Sequence, residues 1–184
     1  HLAGAPLKQM RRHIQMIFQD PYESLNPTMT IGEIVAEPLI VHKLTPGKAE
    51  RDARVLRALE DAGLKPADNF VDRFPHELSG GQRQRVVIAG ALVLEPTLLL
   101  ADEPVSMLDV SIRAEILNLL VELRQTRGIS VPFITPDLGT VAYFADRIAA
   151  AARLFEYLHD REIAVARRPD MLRRNDDPMT DAPV

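Results

Sequence analysis

The 184-residue sequence contains no cysteine, which excludes a disulfide framework and a thiolate metal site. It has no excess of basic residues: 22 Lys and Arg stand against 26 Asp and Glu, a formal net charge of −4. No chain-wide basic footprint of the kind that grips nucleic acid follows, and no nucleic-acid partner is expected. Long apolar runs are also missing. The longest, Val86 to Leu94, falls far short of the roughly 18–20 residues that a spanning helix needs. No signal-peptide pattern is visible and the first residue is His1 rather than Met, so the expectation is a chain that begins inside a longer protein. Absent, too, is any G-x-x-x-x-G-K-[ST] run, the loop whose backbone N–H groups cradle phosphates.

What is present is globular: 46% hydrophobic and 26% charged residues, in a chain long enough to bury a sizeable core. One domain, or a domain with a subdomain, is expected. Ile14, Met16, Ile17 and Phe18 form a short strand-like patch, and residues 20–30, with Pro21, Asn26 and Pro27, read as loop. Thr30 and Glu33 have capping-box spacing, so a helix starts there and bends or ends near Pro38. A second helix, from about Ala49 to Ala62, places Val55, Leu59 and Ala62 on one side and stops at Gly63. Ser79-Gly80-Gly81 leads into a helix from about Gln82 to Leu94. Leu98 to Ala101 is a continuous apolar run, as in a parallel strand covered on both faces. Ser111 to Arg127 is amphipathic, with Ile112, Ile116, Leu119, Leu120 and Leu123 on one face and Gly128 closing it. Ile129 to Ile134 reads as the next strand, so the order strand, helix, strand predicts a parallel α/β layer. Between these parts, residues 20–94 are mostly helical and read as a helical subdomain.

Three constellations carry chemistry. Two glycines after Ser79 leave free N–H groups at the positive end of a helix, which is an anion site; a capped helix with a tight turn is the plain alternative. Asp102 and Glu103 end an apolar parallel strand, where such sheets bind ligands. Asp102 has the oxygen chemistry to hold Mg²⁺ through water, and Glu103 to orient or deprotonate an attacking water; a solvated strand end is the plain alternative. Gln19 is a neutral amide just after a strand, able to touch a metal or a water.

Their order is the specific signal: Gln19, the serine-glycine pair about 60 residues on, then the acidic strand end about 20 further. Here the sequence resembles the ABC ATPase family over about residues 7–148. Phe18-Gln19-Asp20-Pro21 is similar to its Q-loop, and Leu78-Ser79-Gly80-Gly81-Gln82 to its signature motif at every position. Leu98 to Glu103 resembles Walker B plus the catalytic glutamate, and Ser106-Met107-Leu108-Asp109 the D-loop. Gln19 to Pro27, with Tyr22, Ser24, Leu25 and Asn26, is similar to oligopeptide and dipeptide importers in particular.

The resemblance implies a RecA-like P-loop NTPase core with parallel strands plus an ABC helical subdomain. It divides the chain into core residues 1–19, a helical subdomain with the signature at 20–95, core with Walker B and D-loop at 96–148, and a diverged tail at 149–184. It further implies ATP and Mg²⁺ as cofactors, with Gln19, Ser79, Gly80, Gly81, Gln82 and Asp109 at the nucleotide, Asp102 and Gln19 at the metal, and Glu103 catalytic. Implied partners are a second ABC ATPase subunit, transmembrane permease subunits and, indirectly, a solute-binding protein. The place is the cytoplasmic face of the membrane. In the family two such domains meet head to tail, the signature of one facing the phosphate loop of the other.

The sequence departs from the family at four places. The phosphate loop expected upstream of Gln19 is absent, so ATP hydrolysis by this chain alone is not expected. Pro136 stands where the family has a switch histidine, and it offers neither imidazole nor N–H. Pro132 falls inside a parallel strand, which it is expected to demote or distort. Beyond Ile148 the family continues with a strand, whereas Ala149 to Ala152 is helix-favouring and residues 153–184 read as helix, then polar tail. A shifted reading frame or a diverged end would produce that change. A truncated ATPase subunit is the first reading; a non-catalytic partner supplying its signature in trans, or a gene remnant, are the others. The importer-like run and acidic charge argue against an ABC ATPase of DNA repair or translation.

Overall fold

Helix α1 (Ala5–His13) leads directly into strand β1 (Ile14–Ile17). Helices α2 (Pro21–Ser24), α3 (Ile31–His42), α4 (Lys48–Asp61), α5 (Asp68–Val71) and α6 (Gly80–Leu92) follow before β2 (Leu98–Asp102). Next come α7 (Val110–Arg127), β3 (Val131–Thr135), α8 (Leu138–Phe144), β4 (Arg147–Ala150) and β5 (Glu162–Ala166). The structure is a computed structural model that describes residues 4–45, 47–145, 147–150 and 162–166.

The strands form one mixed sheet in the order β1-β2-β3-β5-β4. β1 runs parallel to β2, with Ile14 to Ile17 beside Leu98 to Ala101. β2 runs parallel to β3, which places Ala101 beside Phe133 and Asp102 beside Ile134. Parallel neighbours need a crossover, and α7 supplies the one from β2 to β3. The apolar β2 run was expected to be covered on both faces, and it is fully covered on one only: Leu99 and Ala101 are fully buried, while Leu98 and Leu100 are half-buried.

Helices α3, α4 and α6 pack on one another, and α6 also lies against β1. The α3 start is the predicted capping box. Glu33 N–H donates to Thr30 Oγ1 at 3.3 Å, and Thr30 N–H to the Glu33 carboxylate at 2.8 Å. The helix does not end at Pro38. It runs on to His42, because Val35, Ala36 and Leu39 on both sides of the proline are buried in the core. That packing offsets the hydrogen bond that Pro38 cannot donate. Val55, Leu59 and Ala62 are buried as predicted, and Gly63, at φ +80°, takes the left-handed turn that follows α4. Residues 20–30 are not wholly loop, since Asp20 accepts from Tyr22 N–H at 2.7 Å and caps the short α2. On α7, Ile116, Leu119, Leu120 and Leu123 face the core and Gly128 closes the helix at φ +61°.

Two prolines and the C-terminal region correct the sequence expectations. Strand β3 is continuous through Pro132. Leu99 N–H donates to Ser130 O and Glu103 N–H to Ile134 O, both at 2.9 Å, so residues 130 and 134 turn their backbone groups toward β2. Pro132 has the same parity; it removes one donor from that side, and the bonds on either side keep the strand. Ala149 and Ala150 are strand, not helix: they pair with Ile163 and Glu162 of β5, which is antiparallel to both β4 and β3. Sheet pairing overrides alanine's weak helix propensity here. Ala151, Ala152 and residues 153–161 and 167–184 lie outside the described residues; within the region expected to be helix and tail, Glu162–Ala166 is strand.

Candidate active site at the strand ends

Gln19, Asp102 and Pro136 each follow or end one of the three parallel strands, so they share the carboxyl rim of the sheet. That rim is where open parallel sheets bind ligands. Gln19 Nε2 donates to Glu103 Oε2 at 3.0 Å, across 84 positions of sequence. Glu103 is buried and sits at φ +47°, a left-handed conformation that costs a non-glycine residue about 1–2 kcal/mol. Its backbone is fixed from both sides. The N–H donates to Ile134 O at 2.9 Å, and the carbonyl accepts from Ser106 Oγ at 3.0 Å and from Ser106 N–H at 3.2 Å. The Asp102 carboxylate, half-buried, ends β2 beside it. Ser106 was picked out in the sequence only as part of a motif; its use as the clamp on Glu103 needs the turn geometry to be seen.

The second part is the α6 start. Gln82 N–H donates to Ser79 Oγ at 3.3 Å and Ser79 N–H to Gln82 Oε1 at 3.0 Å, so these two side chains close a capping box. The helix therefore begins at Gly80, two residues before the sequence expectation. A Cβ on Gly81 would lie 2.6 Å from Ile112 Cγ2, so glycine is what lets α6 approach α7 this closely. Tyr22, absent from the predicted site set, links the two parts. Its hydroxyl lies 3.4 Å from where a Cβ of Gly80 would stand, and the Arg83 guanidinium stacks 4.3 Å from its ring centroid. An aromatic three residues after Gln19 and a cation four after Ser79 are unremarkable in sequence, so no local signal exposes the pair. Asp109 is exposed at the N-terminus of α7 and makes no side-chain cap bond.

At the end of β3, Pro136 is exposed, and the ordered polar group is its neighbour Asp137. Asp137 accepts from Thr140 Oγ1 at 2.6 Å and from Gly139 N–H at 3.0 Å, which caps α8. The Thr140 hydroxyl first, then the Gly139 N–H and the Arg113 charge, hold the Asp137 carboxyl below its ordinary range. Because the folded-state pKa is depressed, the stabilisation is complete above the unfolded value of about 4 and is lost as pH falls through the lower folded value. Asp137→Asn should therefore lower the neutral-pH midpoint modestly and meet the unaltered chain in acid, which flattens the acid limb; the effect is modest because the carboxylate is solvent-screened. Thermal unfolding followed from about pH 6 down to about pH 3 checks this; an identical acid limb in the variant would exclude it.

Among the described residues no group of three or more His, Cys, Asp or Glu side chains could by itself hold a metal. The donors at the rim are the Gln19 amide and the Asp102 and Glu103 carboxylates, each of which can offer an oxygen. This fits Mg²⁺, which keeps several waters and takes one or two carboxylates together with substrate phosphates. It does not suit a dedicated protein cage.

An α/β sheet with a glutamine and an acidic pair at its parallel rim, and a glycine-led helix packed beside it, defines a P-loop NTPase-type cassette. The comparisons make that specific. The profile of the ABC transporter family matches residues 1–106, and the chain belongs to that family. It is 51% identical over 142 residues to the oligopeptide transport ATP-binding protein OppF of Bacillus subtilis (strain 168), covering 77% of this chain and 46% of that protein. It is 51% identical over 148 residues to the glutathione import ATP-binding protein GsiA of Escherichia coli (strain K12), covering 80% of this chain and 23% of that protein. The chain thus spans about half, or less, of the length of these relatives. In structure it is similar to the dimeric ATP-binding cassette MJ0796 bound to ADP and phosphate in a post-hydrolysis state. The TM-score is 0.63 at 36% identity, over 76% of this chain and 59% of that one. Among the described residues no helix is long and apolar enough to cross a membrane.

Proposed function

We propose that this chain is part of the ATP-binding, ATP-hydrolysing subunit of an importer for peptides of the oligopeptide or dipeptide type, with glutathione in the same substrate class. The observation that carries the reading is the Gln19–Glu103 hydrogen bond at the rim beside Asp102. Glu103 is the group to orient and deprotonate the attacking water, Gln19 senses the same water and the metal, and Asp102 holds the metal through water. Mg²⁺, when bound, neutralises phosphate charge as it develops. The Ser79 turn with Gly80, Gly81 and Gln82, together with Asp109, faces a nucleotide held by a second ATPase subunit. The core takes in residues 1–19 and 96–148, the helical subdomain 20–95, and β4 and β5 extend the core sheet into what the sequence reads as tail. Permease subunits dock at the Gln19 side, which places the subunit at the cytoplasmic face of the membrane, and a solute-binding protein acts indirectly.

A second reading, a non-catalytic partner that supplies its signature in trans, draws on the absence of a phosphate-loop pattern from these 184 residues together with the preformed Ser79 cap. Phosphate release measured on the purified 184-residue chain separates the two. Alone, the chain should show no turnover above its Glu103→Gln variant, and addition of a phosphate-loop-bearing subunit should raise hydrolysis above that subunit's own rate. Robust, glutamate-dependent turnover by the chain alone would refute the expectation, and no gain on mixing would remove the partner reading.

A further inference from the structure

One surface carries charge of the sign that the chain as a whole lacks. No Asp or Glu occurs before Asp20, and α1 presents Lys8, Arg11 and Arg12. The C-terminal end of α3 meets this helix: Lys8 Nζ donates to Val41 O at 2.9 Å, which brings Lys8 and Arg12 beside His42. Lys43, in the left-handed region at φ 54°, follows directly and is exposed. Ile40 and Val41 are each 54% exposed at the same place. Capping the α3 carbonyls accounts for Lys8. It does not account for Arg11, Arg12 or Lys43, none of which has an ion-pair partner among the described residues.

We propose that this face, Lys8, Arg11, Arg12 and Lys43 around the exposed Ile40 and Val41, rests on anionic phospholipid headgroups. Phosphate oxygens complement the uncompensated guanidinium and ammonium groups, and an apolar pair flanked by cations is what the headgroup–acyl boundary accepts. A protein partner with an acidic segment would satisfy the charges but has less use for two exposed aliphatic side chains. Nucleic acid would have to overcome the net charge of −4 carried by the whole chain. The contact would add a direct grip on the bilayer, independent of any membrane subunit, and it does not depend on the nucleotide chemistry proposed above.

The test needs no nucleotide, so its failure leaves the ATPase reading standing. The purified chain is floated with phosphatidylcholine vesicles and with the same vesicles containing phosphatidylglycerol. Partition should favour the phosphatidylglycerol vesicles and fall away as salt is raised, because the attraction is screened beyond a Debye length of about 10 Å. Each Lys or Arg near an anionic surface strengthens binding by roughly fivefold, so Arg11→Glu with Arg12→Glu should weaken it by at least about twentyfold. Arg57→Glu, on the exposed side of α4, should leave it unchanged, with unfolding midpoints confirming that both proteins are folded. Equal partition onto both vesicles, or no loss in the double variant, would overturn the proposal. So would capture by an immobilised acidic peptide without any binding to vesicles. The salt dependence of the unaltered chain keeps the test valid even if the double variant fails to fold.

Discussion

Replacing Phe133 by alanine should cost the fold about 3–5 kcal/mol, a large part of the roughly 5–15 kcal/mol that holds a domain together. Phe133 is fully buried in the middle of β3, beside Ala101 of β2 on one side and paired with Ala164 of β5 on the other. Its ring lies 4.9 Å from that of Phe144, tilted by 42°. Truncation removes the transfer term, leaves a cavity that neighbouring strands cannot collapse into, and forfeits the ring pair, worth about 0.5–1.5 kcal/mol on its own. Phe133→Leu keeps most of the volume and should cost less than half as much. Urea titration with an unchanged m-value reads the difference. A loss under about 1 kcal/mol for the alanine variant would mean that the sheet centre is not the core it is described to be. The consequence reaches the rim, because the next residue, Ile134, receives the Glu103 N–H that helps to hold the strained φ.

The Glu103 geometry also marks the boundary of what sequence can tell. Strand β2, the α3 capping box, the buried face of α7 and the glycine stops were legible because each rests on local spacing, with 3.6-residue periodicity, a Thr-x-x-Glu pair or a glycine at a helix end. Gln19 and Glu103 could be paired in advance only through a resemblance, since their contact is made by strand order rather than by neighbours in the chain. The pairing of Tyr22 with Arg83 was not legible, because a cation–π contact between two helices far apart in sequence leaves no periodic trace. The prolines were misread in one direction. Pro38 and Pro132 were given their local cost without the packing that outweighs it: buried Val35 and Leu39 around the first, and strand partners on both sides of the second. Ala149 and Ala150 were misread for the same reason, as propensity without the β5 partner that decides it.

In a mixture with a phosphate-loop-bearing subunit, Ser79→Arg should abolish the added ATP hydrolysis, by at least about a hundredfold, while Glu103→Gln in this chain should leave it intact. On the proposed partner reading, the asymmetry follows from which half of a two-subunit site each residue would serve. The Ser79 hydroxyl caps α6, and the N–H groups of Gly80 and Gly81 stand at the positive end of that helix. Arginine at this position loses the cap, worth about 1 kcal/mol, and on the proposed partner reading it puts a long cation where a nucleotide held by the other subunit would meet the turn shaped by the Gly81–Ile112 contact. Ser79→Thr keeps the capping oxygen and should retain most of the gain. Glu103 lies at the carboxyl rim of the sheet, bonded to Gln19, and would act on a nucleotide held in cis by a phosphate loop, a pattern that these 184 residues do not contain. The reverse outcome, with hydrolysis lost on Glu103→Gln and kept on Ser79→Arg, would mean that the carboxylate works on the shared nucleotide and the glycine turn does not. The division of labour would then have to be redrawn around the strand ends.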